Sequence, residues 1–239
     1  MKHHPCTTPE DVAATCADDI ARILARRPEA VLILPAGNTP KPLFRELVRR
    51  HEEGTLDMSR AHIVQLDELV GIPPEDSRSF NAFLRDFLLK PLGRDGTRDH
   101  LMRGDADDAA EEIARHGADL EGLGAVDLAV LGIGLNGHVA FNEPGTRATD
   151  GARLLQLAAK TIEGLEKEFE PQELPRTGIT LGLVELRAAK TVRILATGTG
   201  KGPILGQLLS AESSSDLPAA RLAPHDDLVI FSDEGARGA

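Results

Sequence analysis

Residues 126–145 read VDLAVLGIGLNGHVAFNEPG, and this stretch decides both the fold class and the position of the candidate active site. Its first six residues are mostly apolar, which is typical of a strand buried inside a sheet. Glycines follow at 132, 134 and 137, and then come His138 and Glu143. Because imidazole and carboxylate groups are well suited to moving protons near neutral pH, the segment predicts the edge of an active site.

The same strand pattern recurs along the chain, with helical patterns between the strands. Short apolar runs occupy residues 30–35, 63–66, 126–131, 191–196 and 228–231. A helix is predicted after Thr8-Pro9, where the threonine can cap it, and another over residues 105–120. We find no internal repeat and no linker. Residues 1–239 are therefore predicted to form a single α/β domain, with a mostly parallel, Rossmann-like sheet covered by helices on both faces.

The composition of the chain limits which partners and which cellular compartment are compatible with it. The 239 residues carry a formal net charge of −11 with the acids spread along the chain, which argues against nucleic acid as a partner. Two cysteines, Cys6 and Cys16, are too few for a disulfide framework and favour a reducing compartment. The N-terminus lacks the apolar core of a signal peptide, and no apolar run is long enough to span a bilayer. We therefore expect a cytoplasmic protein with no membrane partner.

The sequence does not match the motifs of several common cofactor-binding, metal-binding and catalytic sites. Gly132, Gly134 and Gly137 form G-x-G-x-x-G, but Pro144-Gly145 interrupts the helix that a dinucleotide fingerprint requires. No set of residues has zinc-ligand spacing, and His3 and His4 are expected to lie in a disordered tail, so no metal site is predicted. The chain has neither a Walker motif nor a G-x-S-x-G elbow.

Candidate catalytic residues lie where apolar runs end. Asp67 follows the 63–66 run directly, and partial desolvation there would raise its pKa toward the range useful for a base. Glu68 would point the other way if the chain stays extended, so only one of the two is expected to face a substrate. Asn136 fits a functional role and a turn equally well, whereas Asn142 is better explained as a turn residue.

Two loops resemble anion sites. Gly37, with Asn38 and Thr39, follows one apolar run, and Lys201 follows Gly198 and Gly200 after another. Backbone N–H groups at a helix start, together with one lysine, suit a phosphate, although two ordinary strand-to-helix turns explain the spacing equally well. If the sheet is parallel, all these loops open at one edge and form a single compound site.

With these segments identified, the chain resembles the glucosamine-6-phosphate deaminase (isomerase) family. Four blocks in the same order carry the resemblance over nearly the full chain: LPAGNTP (34–40), QLDELVGIP (65–73), LGIGLNGHVAFNEPG (131–145) and ITLGLVELRAAKTVRILATGTGKG (179–202). The wider superfamily includes 6-phosphogluconolactonases. Those proteins continue differently after the shared histidine, and the FNEP sequence at 141–144 fits the deaminase branch better.

The resemblance implies aldose–ketose isomerisation coupled to loss of ammonia, in which an amino-sugar 6-phosphate becomes fructose 6-phosphate. His138 would open the sugar ring, with Glu143 and Asn136 orienting the imidazole. Asp67 would move a proton between C2 and C1, and water would then displace ammonia. Lys201 and the Gly37 loop would hold the phosphate. This chemistry requires no cofactor or metal.

The chain departs from the family pattern at the phosphate site. Ala36 and Asn38 stand where the family loop usually reads Thr-Gly-Gly/Ser-Thr, so one hydroxyl donor is lost, and Lys167 or Arg176 would replace a family arginine. Residues 177–183 are close to a segment of galactosamine-6-phosphate-specific relatives. A galactosamine-6-phosphate deaminase, a lactonase and a non-catalytic sugar-phosphate sensor therefore remain alternatives. Relatives occur as monomers and hexamers, so a homo-oligomer is also possible.

Overall fold

The computed structural model describes residues 1–168, 173–212 and 215–238. The strands are β1 (Lys2–Pro5), β2 (Val31–Leu34), β3 (His62–Gln65), β4 (Asp67–Leu69), β5 (Asp99–His100), β6 (Leu128–Gly132), β7 (Arg153–Gln156), β8 (Thr177–Thr180), β9 (Val192–Ala196) and β10 (Leu228–Ser232). The helices are α1 (Pro9–Arg26), α2 (Lys41–Glu52), α3 (Phe80–Leu84), α4 (Ala109–Leu123), α5 (Ala159–Glu168), α6 (Leu183–Ala188), α7 (Gly202–Ser210) and α8 (Glu234–Arg237). A π-helical turn, Arg85–Leu89, extends α3.

Seven strands form one sheet in the order β1-β10-β9-β6-β2-β3-β5, and every pair in it is parallel. Alternate residues of the central strands pack into two apolar clusters, one on each face. In β2, for example, Val31 and Ile33 join one cluster, whereas Leu32 and Leu34 join the other. The predicted parallel α/β sheet, covered on both faces, is confirmed.

All five predicted strands are present, but one predicted helix boundary is wrong. The helix expected over residues 105–120 begins at Ala109 and ends at Leu123. Asp108 is the residue that caps it, because its side chain accepts a hydrogen bond from the Ala110 N–H. Several acids precede this helix, and the sequence did not show which one would serve as the cap.

The N-terminus is ordered, contrary to the expectation of a disordered tail. β1 pairs in parallel with β10 at the sheet edge. His3 Nε2 lies 2.8 Å from Ser232 Oγ, and the His4 ring packs edge-on against Phe231. All four residues of β1 are exposed. Backbone pairing, which leaves no apolar pattern in the sequence, therefore fixes this strand.

A second, antiparallel sheet was not predicted. It has the order β4-β8-β7 and places Asp67 opposite Thr180. A small apolar cluster that includes Phe80 and Phe141 belongs to this part of the molecule, and the two ring centroids are 5.6 Å apart. This sheet joins the segment containing Asp67 to the segments that follow β6. No helix within the described residues is both long and apolar enough to cross a bilayer.

Candidate active site

The four loops singled out from the sequence follow four neighbouring strands. β9, β6, β2 and β3 lie side by side and run in the same direction, so their carboxyl ends meet at one edge. The chain first builds the sheet from β2 toward β3 and then returns to place β6 on the other side of β2. The strand order therefore reverses between the loops after β2 and β6, and open α/β sheets bind ligands at such a reversal.

The imidazole of His138 lies directly over Gly134. A Cβ atom built on Gly134 would lie 2.1–2.3 Å from three atoms of the ring, so only glycine fits there. The backbone holds this arrangement, since Gly134 N–H donates to His138 O at 2.9 Å. Gly137 has a φ of +84°, and a side chain on it would also meet Leu217. Gly134 therefore makes room for the imidazole and Gly137 for the side chain of Leu217, and no helix follows the glycine pattern.

Burial lowers the pKa of His138 to about 4. Glu143 acts in the opposite direction, whereas the positive charge of Lys201 adds to the lowering. The ring is therefore neutral at physiological pH and can accept a proton. About 21 % of the His138 side chain remains exposed, so a small molecule can reach it.

We expect Gly134→Ala to lower kcat about 100-fold while the fold is retained, because the new methyl group would displace the imidazole and small misplacements cost about this much. Gly132→Ala is the matched control, since a Cβ there meets no atom within 4 Å. Steady-state kinetics and thermal melting of both variants measure the difference. Equal activity in the two variants would contradict the placement of the ring.

The carboxylate of Glu143 is held by two donors. Asn136 Nδ2 donates to Oε2 at 2.8 Å, and the backbone N–H of Ala158 donates to Oε1 at 3.2 Å. Oε2 lies 3.7 Å from His138 Nδ1, close enough to stabilise a positive charge on the ring. The Asn136 side chain contacts the backbone N–H of His138 but not its imidazole. Asn136 therefore contacts Glu143 and the backbone of His138, and its expected role in orienting the imidazole stays a prediction.

Asp67 and Glu68 are both buried but differ in their hydrogen bonds. Glu68 is fully buried and accepts hydrogen bonds at 2.8–3.1 Å from five donors, which belong to Gln65, Leu69, Ser79, Phe80 and Asn81. Asp67 is 6 % exposed, and no donor among the described residues contacts its carboxylate. Burial raises the pKa of Asp67 well above 3.8, and the Glu68 charge contributes to the rise. Glu68 is therefore held by hydrogen bonds, whereas the Asp67 carboxylate has no such donor in the described part of the chain.

Strand β8 brings the Asp67 segment and the His138 loop together. Thr180 lies opposite Asp67 in the antiparallel sheet, and its Oγ1 accepts from the N–H of Phe141 at 3.2 Å. The next residue, Leu181, donates its N–H to Leu66 and accepts from Asn142 Nδ2 at 3.0 Å. Residues 66–67 and residues 141–142 therefore both contact Thr180 and Leu181, which fixes these two segments relative to each other. Asn142 has a structural role, in line with the turn interpretation.

The four candidate phosphate-binding residues divide into two groups. Lys201 Nζ donates to Ile133 O at 2.5 Å and therefore lies beside the His138 loop. Gly37, with a φ of +105°, leads into exposed Asn38 and half-buried Thr39 at the start of α2. Lys41, which the sequence pattern did not single out, lies beside this loop: its Nζ donates to Asn38 Oδ1 at 2.6 Å and lies 5.1 Å from the centre of the Phe87 ring.

The proposed substitutes for the family arginine lie on the surface. Lys167 is exposed in the last turn of α5, and Arg176 is exposed just before β8. The residues between them, 169–172, lie outside the described ranges. Neither candidate contacts His138 or Glu143 in the described part of the chain.

Two further residues near the site were not apparent from the sequence. Thr161, on α5, places its Oγ1 3.1 Å from His138 Nδ1. Asp233, buried after β10, accepts from the Gly198 N–H at 3.0–3.1 Å and so fixes the loop that leads to Lys201. Both contacts join segments distant in sequence, and no local pattern marks them. Among the described residues, no group of three or more His, Cys, Asp or Glu side chains could hold a metal ion.

Comparison with known proteins agrees with this geometry. Residues 6–231 match the family described as glucosamine-6-phosphate isomerases/6-phosphogluconolactonase. A glucosamine-6-phosphate deaminase of Clostridium perfringens is 33% identical over 228 residues, which cover 95% of this chain and 94% of the relative. Glucosamine-6-phosphate deaminase 1 of Bacillus subtilis is 30% identical over 237 residues, which cover 99% of this chain and 98% of the relative.

A solved structure with the same fold agrees as well. A monomeric glucosamine-6-phosphate deaminase superposes with a TM-score of 0.95 at 30% sequence identity, and the match covers 99% of this chain and 98% of that one. The resemblance found in the sequence is therefore confirmed over almost the whole chain. This chain belongs to the glucosamine-6-phosphate isomerase/6-phosphogluconolactonase family.

Proposed function

We propose that this protein is an amino-sugar-phosphate deaminase that converts glucosamine 6-phosphate and water into fructose 6-phosphate and ammonia. The observation that carries the proposal is the pairing of two groups. A buried aspartate, whose carboxylate has no hydrogen-bond donor among the described residues, and a neutral imidazole lie in segments that meet at the same sheet edge. Relatives at 30–33% identity are named for this activity.

The reaction follows from these groups as proton transfers. His138 takes the proton of the anomeric hydroxyl and delivers it to the ring oxygen, which opens the sugar. Asp67 removes the proton from C2, and the resulting enolamine is protonated at C1. Water then adds at C2 in a hydrolytic step, and ammonia leaves. Each transfer needs only a positioned acid or base, and contributes about 10²–10⁴-fold.

The remaining residues would bind and orient the substrate. Lys201 and the loop of Gly37, Asn38 and Thr39 would hold the 6-phosphate, which lies far from the reacting carbons. Binding energy from such a remote group is used to position C1 and C2. Glu143, itself held by Asn136, would stabilise the imidazolium formed during ring opening. A sugar phosphate is the only partner this mechanism requires, and no cofactor takes part.

We extend the proposal to the cellular setting. A cytoplasmic location agrees with two cysteines, Cys6 and Cys16, that are buried as free thiols. The oligomeric state is a separate question, because the sequence is compatible with both a monomer and a homo-oligomer. Light scattering on the purified protein decides between them. The monomeric structural relative makes the monomer the state that we propose.

The function is tested by incubating the purified protein with glucosamine 6-phosphate and measuring ammonia and ketose phosphate. Equal amounts of both are expected. Galactosamine 6-phosphate and 6-phosphogluconolactone form parallel arms that test the alternative substrates. Preferential turnover of either would replace the proposal, and saturable binding without turnover in all arms would indicate a sensor.

We expect kcat/KM to fall on acidification along a limb set by Asp67. Burial and the adjacent Glu68 raise the pKa of this carboxyl, and the base must be ionised to act, so activity is lost as pH falls through the raised value. His138, with a pKa of about 4, stays neutral in that range. A pH–rate profile measures the limb. A midpoint at the ordinary aspartate value of 3.8 would contradict the assignment.

A further inference from the structure

The two ring nitrogens of His138 have different surroundings. Nδ1 lies 3.1 Å from Thr161 Oγ1, within hydrogen-bond distance, whereas the nearest oxygen of Glu143 is 3.7 Å away. Nε2 has no hydrogen-bond partner among the described residues. Nε2 is therefore the nitrogen that can meet a substrate, and Thr161 is the direct hydrogen-bond partner of the other one.

The position of the Thr161 hydroxyl is well fixed. The side chain is 4 % exposed and belongs to the first turn of α5, where its N–H donates to Ala158 O at 2.9 Å. Ala158 in turn donates its N–H to Glu143. Because a threonine side chain is branched at Cβ, few rotamers are open to it in this setting. The start of α5 thus contacts both the imidazole and the carboxylate beside it.

A hydroxyl and a carboxylate act differently on a neutral imidazole. A neutral ring carries one proton, and it can accept a second at Nε2 only if the first is on Nδ1. The Thr161 hydroxyl can accept from an Nδ1–H or donate to a bare Nδ1. The negative charge of Glu143, 3.7 Å from Nδ1, favours a proton on that nitrogen and therefore the accepting role of Thr161. Both oxygens of Glu143 already accept from Asn136 and Ala158, and neither is within hydrogen-bond distance of the ring.

We propose that Thr161 is a positioning residue that keeps the proton of neutral His138 on Nδ1 and so presents the Nε2 lone pair to the anomeric hydroxyl. This inference rests on the proposed function and assigns Thr161 and Glu143 to different steps of ring opening. Thr161 sets the tautomer before ring opening. Glu143 stabilises the charge once Nε2 has taken the proton of the hydroxyl, and the charge disappears when that proton passes to the ring oxygen.

The kinetic test compares Thr161→Val, which keeps the shape and removes the hydroxyl, with Thr161→Ser, which restores it. We expect kcat on glucosamine 6-phosphate to fall about 10- to 30-fold in the valine variant and by less than about threefold in the serine variant. Thr191→Val is the matched control. Its hydroxyl donates to Asp227 at the opposite end of the sheet, so its kcat should be unchanged. Equal losses in the serine and valine variants would overturn the proposal.

The tautomer is measured directly by ¹⁵N NMR of the histidine rings in the protein without substrate, with His138→Gln used to assign the signal. We expect a protonated Nδ1 in the wild type and in Thr161→Ser, and a shift of the proton toward Nε2 in Thr161→Val. The charged groups facing the ring, Glu143 and Lys201, are the same in all three proteins. An unchanged tautomer in the valine variant would overturn the proposal even if its kcat fell.

The two proposals fail separately. If the wild type releases no ammonia from any amino-sugar phosphate, the proposed function fails, yet the NMR measurement still decides whether Thr161 sets the tautomer. If the wild type is active and Thr161→Val matches it in kcat and in the ¹⁵N spectrum, only the role of Thr161 fails. Far-UV circular dichroism and thermal melting confirm that every variant is folded.

Discussion

Asp67→Asn is expected to lower kcat for ketose formation about 10³- to 10⁴-fold, because an amide cannot take the C2 proton. The same change should raise Tm at neutral pH. The folded-state pKa of Asp67 lies above its unfolded value, so the ionised carboxylate destabilises the fold once pH rises through that folded value. Asparagine removes this penalty. The gain in Tm should shrink at acidic pH, where aspartate is protonated in the folded protein.

Asp127→Asn is the matched control for this prediction. Asp127 is equally buried, with 6 % exposed, but it lies at the opposite end of the sheet. Burial acts to raise its pKa, but Lys190, the Val31 N–H and Arg27 outweigh burial, so the pKa is lowered. Its ionised form therefore stabilises the fold above its unfolded pKa. Asp127→Asn should lower Tm at neutral pH and leave kcat nearly unchanged.

We expect the changes in Tm to have opposite signs in Asp67→Asn and Asp127→Asn, and kcat to fall only in Asp67→Asn. This combination would show that the loss of activity does not come from a loss of stability. Near-normal turnover by Asp67→Asn would remove Asp67 as the base. A fall in Tm for that variant at neutral pH would show that its carboxylate has a stabilising partner, contrary to the environment described above.

His138→Gln is expected to have the second largest effect, lowering kcat on the closed-ring sugar about 10²- to 10³-fold. Glutamine has a similar reach but does not exchange protons near neutral pH. An open-chain analogue in which ring closure is blocked should lose much less, since it bypasses the step assigned to the imidazole. The ratio of the two losses is the quantity that tests the role.

His225→Gln controls for replacing a histidine in general. Its Nε2 contacts Ala189 O near the amino ends of the strands, far from the cleft, so both substrates should be turned over at the wild-type rate. Equal losses on the closed-ring and open-chain compounds by His138→Gln would contradict a ring-opening role. Such a result would assign the imidazole to a later step.

The central strands could be predicted from the sequence because they are buried on both faces. Strands such as β2 and β6 then show continuous apolar runs that only a covered parallel sheet explains. The outer strands could not be predicted in this way. The four residues of β1 are exposed, and β7 alternates between half-buried and exposed positions. These strands are held by backbone hydrogen bonds, which do not depend on side-chain type.

The candidate site was predictable to a similar extent. Asp67 stands out because it closely follows the buried strand β3, and His138 and Glu143 because they lie in the loop after the buried strand β6. The order of the strands brings these two ends to the same edge of the sheet. Thr161 and Asp233 contact the site only through tertiary packing, and nothing near them in the sequence indicates it. The imidazole lying over Gly134 is likewise a contact across a loop, although the glycine itself was noticed.

A crystal structure of Asp67→Asn with glucosamine 6-phosphate bound tests directly whether Asp67 and His138 act on one substrate. We expect C2 of the sugar beside the residue 67 side chain, and the O1 and ring-oxygen atoms at His138 Nε2. The phosphate should lie against Lys201 and the Gly37 loop. A sugar phosphate bound in another cleft, or bound here with C2 turned away from residue 67, would contradict this expectation.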